Sequence, residues 1–130
     1  MAIRSFYSLG LLTVLLAGCA NAPRQYDVSG AVTFQGRPVA DGQIVFEDEA
    51  PAQGKWPAPI QNGRYQLKAT AGSKLVRISA SEATGKMLEG GMGAQIPERR
   101  ELIPPQFNTQ SQEKRTIEPK QPQTIDFELK

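Results

Sequence analysis

The sequence predicts an all-β domain, and three observations lead to that prediction. Apolar and polar residues alternate with a period of two in several short segments, which is typical of half-buried strands. The 10 prolines and 12 glycines leave little room for helices longer than a turn or two. Turn-forming pairs such as Asn62-Gly63 separate the alternating segments. A chain of 130 residues is long enough for one such domain and too short for two ordinary ones.

The alternation is found in segments that are each bounded by turn residues. These predicted strands cover residues 26–34, 43–47, 64–69, 74–81 and 124–130. In the third of them, Tyr65 and Leu67 face one way while polar residues face the other, directly after the hairpin turn Asn62-Gly63. We predict that the Pro- and Gly-rich stretch 50–59 is irregular and that residues 82–98 form a long disordered loop. The charged run 98–101 is predicted to be a solvated turn.

Residues 1–18 have the features of a bacterial signal peptide. Arg4 precedes an apolar run over residues 6–16, which is too short to span a membrane. The run ends in Leu16-Ala17-Gly18-Cys19, which closely resembles the lipobox of bacterial lipoproteins. This resemblance implies cleavage before Cys19 and attachment of a diacylglyceryl group to its thiol. The alternative is a buried or free cysteine behind an ordinary cleavage site.

The predicted anchor sets the location of the mature protein. Two or more acyl chains hold a protein firmly on a bilayer, whereas one chain holds it only marginally. Residues 19–25 contain no structural signal and are predicted to be a tether that reaches at most about 20 Å. In resembling lipoproteins of two-membrane bacteria, an aspartate after the cysteine favours the inner membrane. Ala20 stands there instead, so we expect an envelope protein of the outer rather than the inner membrane, with its domain at 26–130.

Charge and residue usage exclude several classes of function. The chain has 15 basic and 13 acidic residues, and they alternate along most of its length, so no nucleic-acid-binding surface is predicted. It has no histidine, and its single cysteine is the predicted lipidation site. The commonest metal ligand, the commonest general base and a free thiol are therefore missing. We predict a protein without enzymatic activity, cofactor or metal.

The order of several short motifs resembles a known family. The motifs are Val28–Phe34, Gly36–Val39, Asp41-Gly42, Ile44–Phe46, Asn62–Tyr65 and Val76–Ser79. Together they are similar to the carboxypeptidase regulatory-like domain, a prealbumin-like module. The segment Glu101–Asn108 further resembles small lipoproteins abundant in planctomycete-type bacteria. The resemblance implies a transthyretin-like β-sandwich of about seven strands, whose usual tasks are structural support, adhesion, or binding of peptide or glycan.

Two aromatic residues are candidates for binding an envelope protein or glycan. Trp56 lies between Lys55 and Pro57 in a predicted loop, and an exposed loop tryptophan often anchors a partner. It is equally suited to capping the end of the sandwich. Phe107, in the Pro-rich segment 104–108, belongs either to a recognition loop or to a brace between sheets.

An acidic cluster supplies the alternative to a binding module. Glu47, Asp48 and Glu49 follow a predicted strand and have the chemistry to bind a cation or to act as an acid and base. A solvated acidic loop is the competing explanation. The sequence thus leaves three functions open: a membrane-tethered binding or structural module, an envelope hydrolase that uses these carboxylates, and a spacer without a specific ligand.

Overall fold

The computed structural model describes Gly18 and residues 22–130, and the prediction of an all-β chain is confirmed there. In this part of the chain no helix is long and apolar enough to cross a membrane. Two single-turn 3-10 helices, Gly91–Gly93 and Pro105–Phe107, interrupt the strands. The strands are β1 Gln25–Phe34, β2 Arg37–Pro38, β3 Asp41–Asp48, β4 Lys55–Gln61, β5 Arg64–Thr70, β6 Gly72–Glu89, β7 Gln95–Glu101, β8 Lys114–Ile117, β9 Gln123–Thr124 and β10 Phe127–Leu129.

The ten strands form one connected and mostly antiparallel sheet. Its main path runs β10-β1-β5-β4-β3-β6-β7, while β2 and β9 pair with β1 and β8 pairs with β6. The expected number was about seven, and the difference arises from short strands that add only a few pairs each. The sheet curls so that Phe127 of β10 packs against Phe46 of β3 and Tyr65 of β5, with ring centroids 6.1 Å apart in both pairs.

The inward faces of these strands form one apolar core. In β5 the predicted alternation is confirmed, since Tyr65, Leu67 and Ala69 are all buried. Burying an apolar side chain stabilises the fold by roughly 1.5–3 kcal/mol before entropy is counted. The other buried apolar residues are Val28, Val32, Val39, Ile44, Phe46, Ala58, Ile60, Val76, Ile78, Ala80, Ile103, Ile117, Phe127 and Leu129.

The predicted hairpin turn at Asn62-Gly63 is also confirmed. Both residues have positive φ, 53° and 75°, and Gln61 is the partner of Arg64 across the turn. Positive φ at both central residues is what a type I′ turn requires, and it favours asparagine and glycine. The twist of such a turn matches that of the flanking strands. The turn therefore fixes the register of β4 and β5.

The stretch 50–59 was predicted to be irregular, and this is wrong for its second half. Strand β4 begins at Lys55 and pairs with β3 through seven residues, although it contains Pro57 and Pro59. These prolines have no N–H to donate, and β4 pairs with β5 only at the turn. The strand is possible because its ladder with β3 does not need the missing donors.

The prediction of a disordered loop at 82–98 and a solvated turn at 98–101 is wrong. Strand β6 continues to Glu89, and β7 returns along it as a hairpin with a bulge between Ala83 and Met87. Both faces of this ribbon are exposed, so no buried face imposes alternation on the sequence. The ribbon therefore has no period-two pattern of apolar residues that would mark it as strands in the sequence.

The C-terminal strand predicted at 124–130 is divided into β9 and β10. The Ile125 carbonyl comes so close to Gly30 that a Cβ there would lie 1.9 Å from its oxygen. The Asp126 carboxylate accepts a hydrogen bond from the Ala31 N–H at 2.8 Å, in place of a ladder partner. The break therefore follows from a close backbone approach that only glycine permits.

Strand registers give the domain two distinct ends. Gln25 is paired with Thr70, and Asp48 with Lys74, so these residues share the end nearest the predicted anchor, here named the tether end. Phe34 and the first residues of β3 and β5 lie at the opposite end, here named the far end. The β6–β7 hairpin continues beyond the far end by nine residues of β6, roughly 30 Å at about 3.3 Å per residue.

Candidate functional site

At the tether end, a buried lysine lies on the same face of β6 as the core residues. Lys74 precedes the buried Val76 by two residues, and its side chain is 1% exposed. Its ammonium group forms an ion pair with Asp48 and donates a hydrogen bond to Thr70 Oγ1 at 3.0 Å. It also lies 4.4 Å from the centroid of the Trp56 ring. A buried charge needs such partners, and all three are present here.

Trp56 was predicted to lie in a loop, and this is wrong. It lies in β4, is half-buried, and packs against the core beneath the ammonium group of Lys74. A Cβ on Gly54 would fall 2.2 Å from the Trp56 ring, so glycine leaves room for the indole. The arrangement is that of a cap over the tether end. A partner-binding role for Trp56 stays a prediction.

The carboxylates of the acidic cluster form ion pairs with lysine and arginine side chains. Glu47 pairs with Lys55 at 3.5 Å and with Arg77 at 3.1 Å, and Glu49 pairs with Lys114 at 2.7 Å. Hydrogen bonds from Lys114 and Ser73 lower the pKa of the Glu49 carboxyl. A general acid at neutral pH needs the opposite shift.

A surface cavity of about 640 Å³ adjoins these pairs, lined by Asp48, Glu49, Leu75 and Ser111. Within the described residues, no group of three or more acidic or cysteine side chains is arranged to hold a metal ion. Two of the three carboxylates of the hydrolase alternative, Asp48 and Glu49, line this cavity, and each has a basic partner.

Phe107 lies in the 3-10 helix Pro105–Phe107 and packs, half-buried, against the core. The segment that follows is tied to β6, because Arg77 Nη1 donates to the carbonyls of Asn108 and Thr109 at 2.6 and 3.0 Å. This geometry is that of the brace considered above. The binding role of Phe107 stays a prediction. Cys19 lies outside the described residues, so its lipidation also stays a prediction.

At the far end, an open cleft of about 700 Å³ lies between the β1–β2 turn and the base of the hairpin. We name it the far-end cleft. Phe34, Val39 and Leu102 give it apolar walls. Its rim is charged, and the exposed Arg37 lies beside the pairs Arg99–Asp41 and Arg100–Glu82. Apolar walls with a charged rim suit an amphipathic segment of a partner.

The hairpin beyond the cleft has a concentration of exposed apolar side chains. Within the described residues, every large hydrophobic side chain that is exposed belongs to it: Met87, Leu88, Met92 and Ile96. Met92 is at the apex with φ 61° and is fully exposed. Exposed apolar residues gathered on one element mark interaction surfaces.

Sequence reasoning missed Lys74 and the hairpin for different reasons. Lys74 is in phase with the buried Val76 and Ile78, and Asp48 is in phase with the buried Ile44 and Phe46. Continuing each alternation by one step toward the tether end would have placed both charged residues on the core side of the sheet. The hairpin gives a weaker signal, because glycines and charges surround its apolar residues and suggest a loop.

Comparison with known proteins adds little to the geometry. No protein-family model matches the chain, and no curated protein matches it. Among solved structures, the chain is similar to a 9R-lipoxygenase from Cyanothece PCC8801, with 10% sequence identity and a TM-score of 0.37. The alignment covers 81% of this chain, which spans 16% of the lipoxygenase chain. A likeness this low carries no argument about function.

Proposed function

We propose that this protein is a lipid-anchored lipoprotein of the cell envelope whose non-catalytic β domain binds an envelope protein or glycan at its far end. One observation carries the proposal. The first strand begins at Gln25, six residues after Cys19, and ends at Phe34 in the wall of the far-end cleft. A single strand thus leads from the predicted anchor to the open site.

Distances along the chain support an anchor at one end of the domain and a binding site at the other. The tether reaches at most about 20 Å, and a strand of ten residues is about 33 Å long. The tether end would face the bilayer, and the cleft would face away from it. Partners in the periplasm or at the surface would then meet the cleft and the hairpin before any other part of the domain. The same geometry serves either membrane, and the residue after Cys19 favours the outer one.

We also propose that the curled sheet is a prealbumin-like sandwich of the carboxypeptidase regulatory-like type. The packing of Phe127 on Phe46 supports this, because it brings the β10 and β1 side of the sheet over the β3 side. Two layers that share one apolar core are what such a sandwich requires.

Site-specific photo-crosslinking in native cells tests the binding role. A photoreactive residue replaces Arg37, which is exposed at the cleft, and in a matched variant it replaces Gln66, which is exposed on the outer face of β5. The proposal predicts a discrete adduct with another envelope component from position 37 and none from position 66. Equal background labelling at both positions would contradict a binding site and favour the spacer alternative.

A further inference from the structure

One face of the β6–β7 hairpin continues the core side of the sheet beyond the far end. Leu102 packs half-buried against the core at the base of the hairpin, and its N–H continues the ladder to β6. Side chains alternate along β7, so every second residue from Leu102 toward the apex lies on the same face. These residues are Arg100, Glu98 and Ile96. Leu88 is the cross-strand partner of Ile96 and belongs to this face too, which we name the inner face of the hairpin.

The inner face is apolar at both of its ends and polar between them. At the base, Leu102 forms part of the apolar wall of the far-end cleft. Near the apex, Leu88 and Ile96 lie opposite one another, and both are exposed. Between these two regions Arg100 pairs with Glu82. The apolar regions are six residues apart along β7, which corresponds to about 20 Å at about 3.3 Å per residue.

The rim of the far-end cleft carries a positive charge that lacks a partner. Arg99 and Arg100 each have an acidic partner there, Asp41 and Glu82 respectively. Arg37 is exposed and forms no ion pair with any residue that the structure describes. A carboxylate on the occupant of the cleft would supply a charge-assisted hydrogen bond to this guanidinium group.

The chemistry of the inner face favours a polypeptide over a glycan. The aliphatic side chains of Leu88 and Ile96 offer no hydrogen-bonding group to the hydroxyls of a sugar, and a hydroxyl buried without a partner costs free energy. The apolar side chains of a protein segment would instead be stabilised by contact with them. An extended segment of about seven residues is long enough to contact both apolar regions.

We propose that the partner is a polypeptide segment that runs from the far-end cleft along the inner face of the hairpin. It carries an apolar side chain at each end and an acidic side chain that pairs with Arg37. This inference rests on the proposed binding role of the cleft and names the class of the partner. Met87 directly precedes Leu88 and therefore lies on the opposite face of β6, so the segment leaves Met87 uncovered.

Photo-crosslinking in native cells tests the choice of face. A photoreactive residue replaces Leu88 or Ile96, and in a matched control it replaces Met87. Met87 is 58% exposed and Leu88 is 50% exposed, so the two positions are similarly accessible. We expect positions 88 and 96 to give the same adduct as position 37, and mass spectrometry to identify the attached partner as a peptide. Position 87 should give at least about tenfold less of this adduct.

Substitutions test the two kinds of contact separately. With the photoreactive residue at position 37, the double change Leu88→Ala and Ile96→Ala should lower the adduct yield about tenfold, whereas Met87→Ala should change it little. With the photoreactive residue at position 96, Arg37→Glu should abolish the adduct. Arg64→Glu makes the same change of charge at an exposed position of β5 and should preserve it. All five positions are exposed, so circular dichroism should show an intact fold in each variant.

The outcomes separate this inference from the proposed function. An adduct from position 37 without one from positions 88 and 96 would overturn the inference and leave the binding role of the cleft intact. A glycan in the adduct from position 37 would do the same. Equal labelling from positions 87 and 88 would also overturn the inference, because the segment would then not select one face. The absence of any adduct from position 37 would contradict the proposed function itself, and the inference with it.

Discussion

Replacing Asp48 with asparagine tests whether the buried Lys74 ammonium group depends on its carboxylate partner. Lys74 is 1% exposed, and the Asp48 side chain is 16% exposed. Asparagine keeps the shape of Asp48 and an oxygen for the Gly54 N–H, which donates to Asp48 at 3.2 Å. The change therefore removes the charge and little else. An uncompensated buried charge costs about 3–5 kcal/mol, so we expect Asp48→Asn to lower the free energy of unfolding by about 3 kcal/mol.

Two companion variants show whether the loss of stability comes from leaving the Lys74 charge without a partner. Lys74→Met keeps the long apolar stem against Trp56 and leaves Asp48 with the Gly54 hydrogen bond and some solvent, so it should cost only about 1 kcal/mol. Combining Lys74→Met with Asp48→Asn removes both charges, and we expect the double variant to be about 2 kcal/mol more stable than Asp48→Asn alone.

Urea unfolding followed by circular dichroism measures all three variants. Trp56 is the sole tryptophan in the chain, so its fluorescence reports the same site independently. Asp27→Asn is the matched control, because it breaks an ion pair with Lys68 whose side chains are 35% and 68% exposed. Such a surface pair contributes no more than about 1 kcal/mol. The reasoning is refuted if Asp48→Asn costs no more than this control, or if the double variant is as unstable as Asp48→Asn.

Two further positions give predictions of their own. Gly30→Ala should destabilise the fold by about 1–3 kcal/mol in the same urea assay, because its Cβ would overlap the Ile125 carbonyl, whereas Gly91→Ala, with open space around the Cβ, should change little. Tyr65→Phe removes the hydroxyl that donates to the Ile125 carbonyl at 2.6 Å and should cost about 1–2 kcal/mol; no loss would show that the bond contributes nothing. Burial raises the pKa of Tyr65, so the folded state keeps a proton that the unfolded state loses above about pH 10. Stability should therefore fall as pH rises beyond that value, more steeply for the wild type than for Tyr65→Phe, and parallel curves would contradict the shift.

The elements that sequence reasoning located have one face in the core. In β5, Tyr65 and Leu67 repeat every second residue because the sheet buries one side only, and Asn62-Gly63 sets the turn through its backbone preferences. Both signals are local, so a single sequence is enough to detect them. The same reasoning correctly predicted a turn directly before β5.

The elements that it missed depend on contacts distant in sequence. Strand β4 was hidden by its prolines, which are tolerated because of how β4 pairs with β3, and the division at Asp126 depends on Gly30, 96 residues away. The hairpin has no buried face and hence no period. At the site, the residues Trp56 and Asp48 were singled out, but their common partner Lys74 was not. Its phase with Val76 and Ile78 points to the buried face, but a lysine is stable there only beside Asp48, which is 26 residues away in the sequence.

Intact-mass analysis of the protein extracted from its native envelope shows whether the chain is an anchored lipoprotein. A Cys19→Ser variant serves as the control. If Cys19 is lipidated, the mass equals residues 19–130 plus acyl chains, and the variant lacks that acylated form. A mature chain that carries no lipid would have no anchor, and the proposed orientation of the far-end cleft would then be wrong.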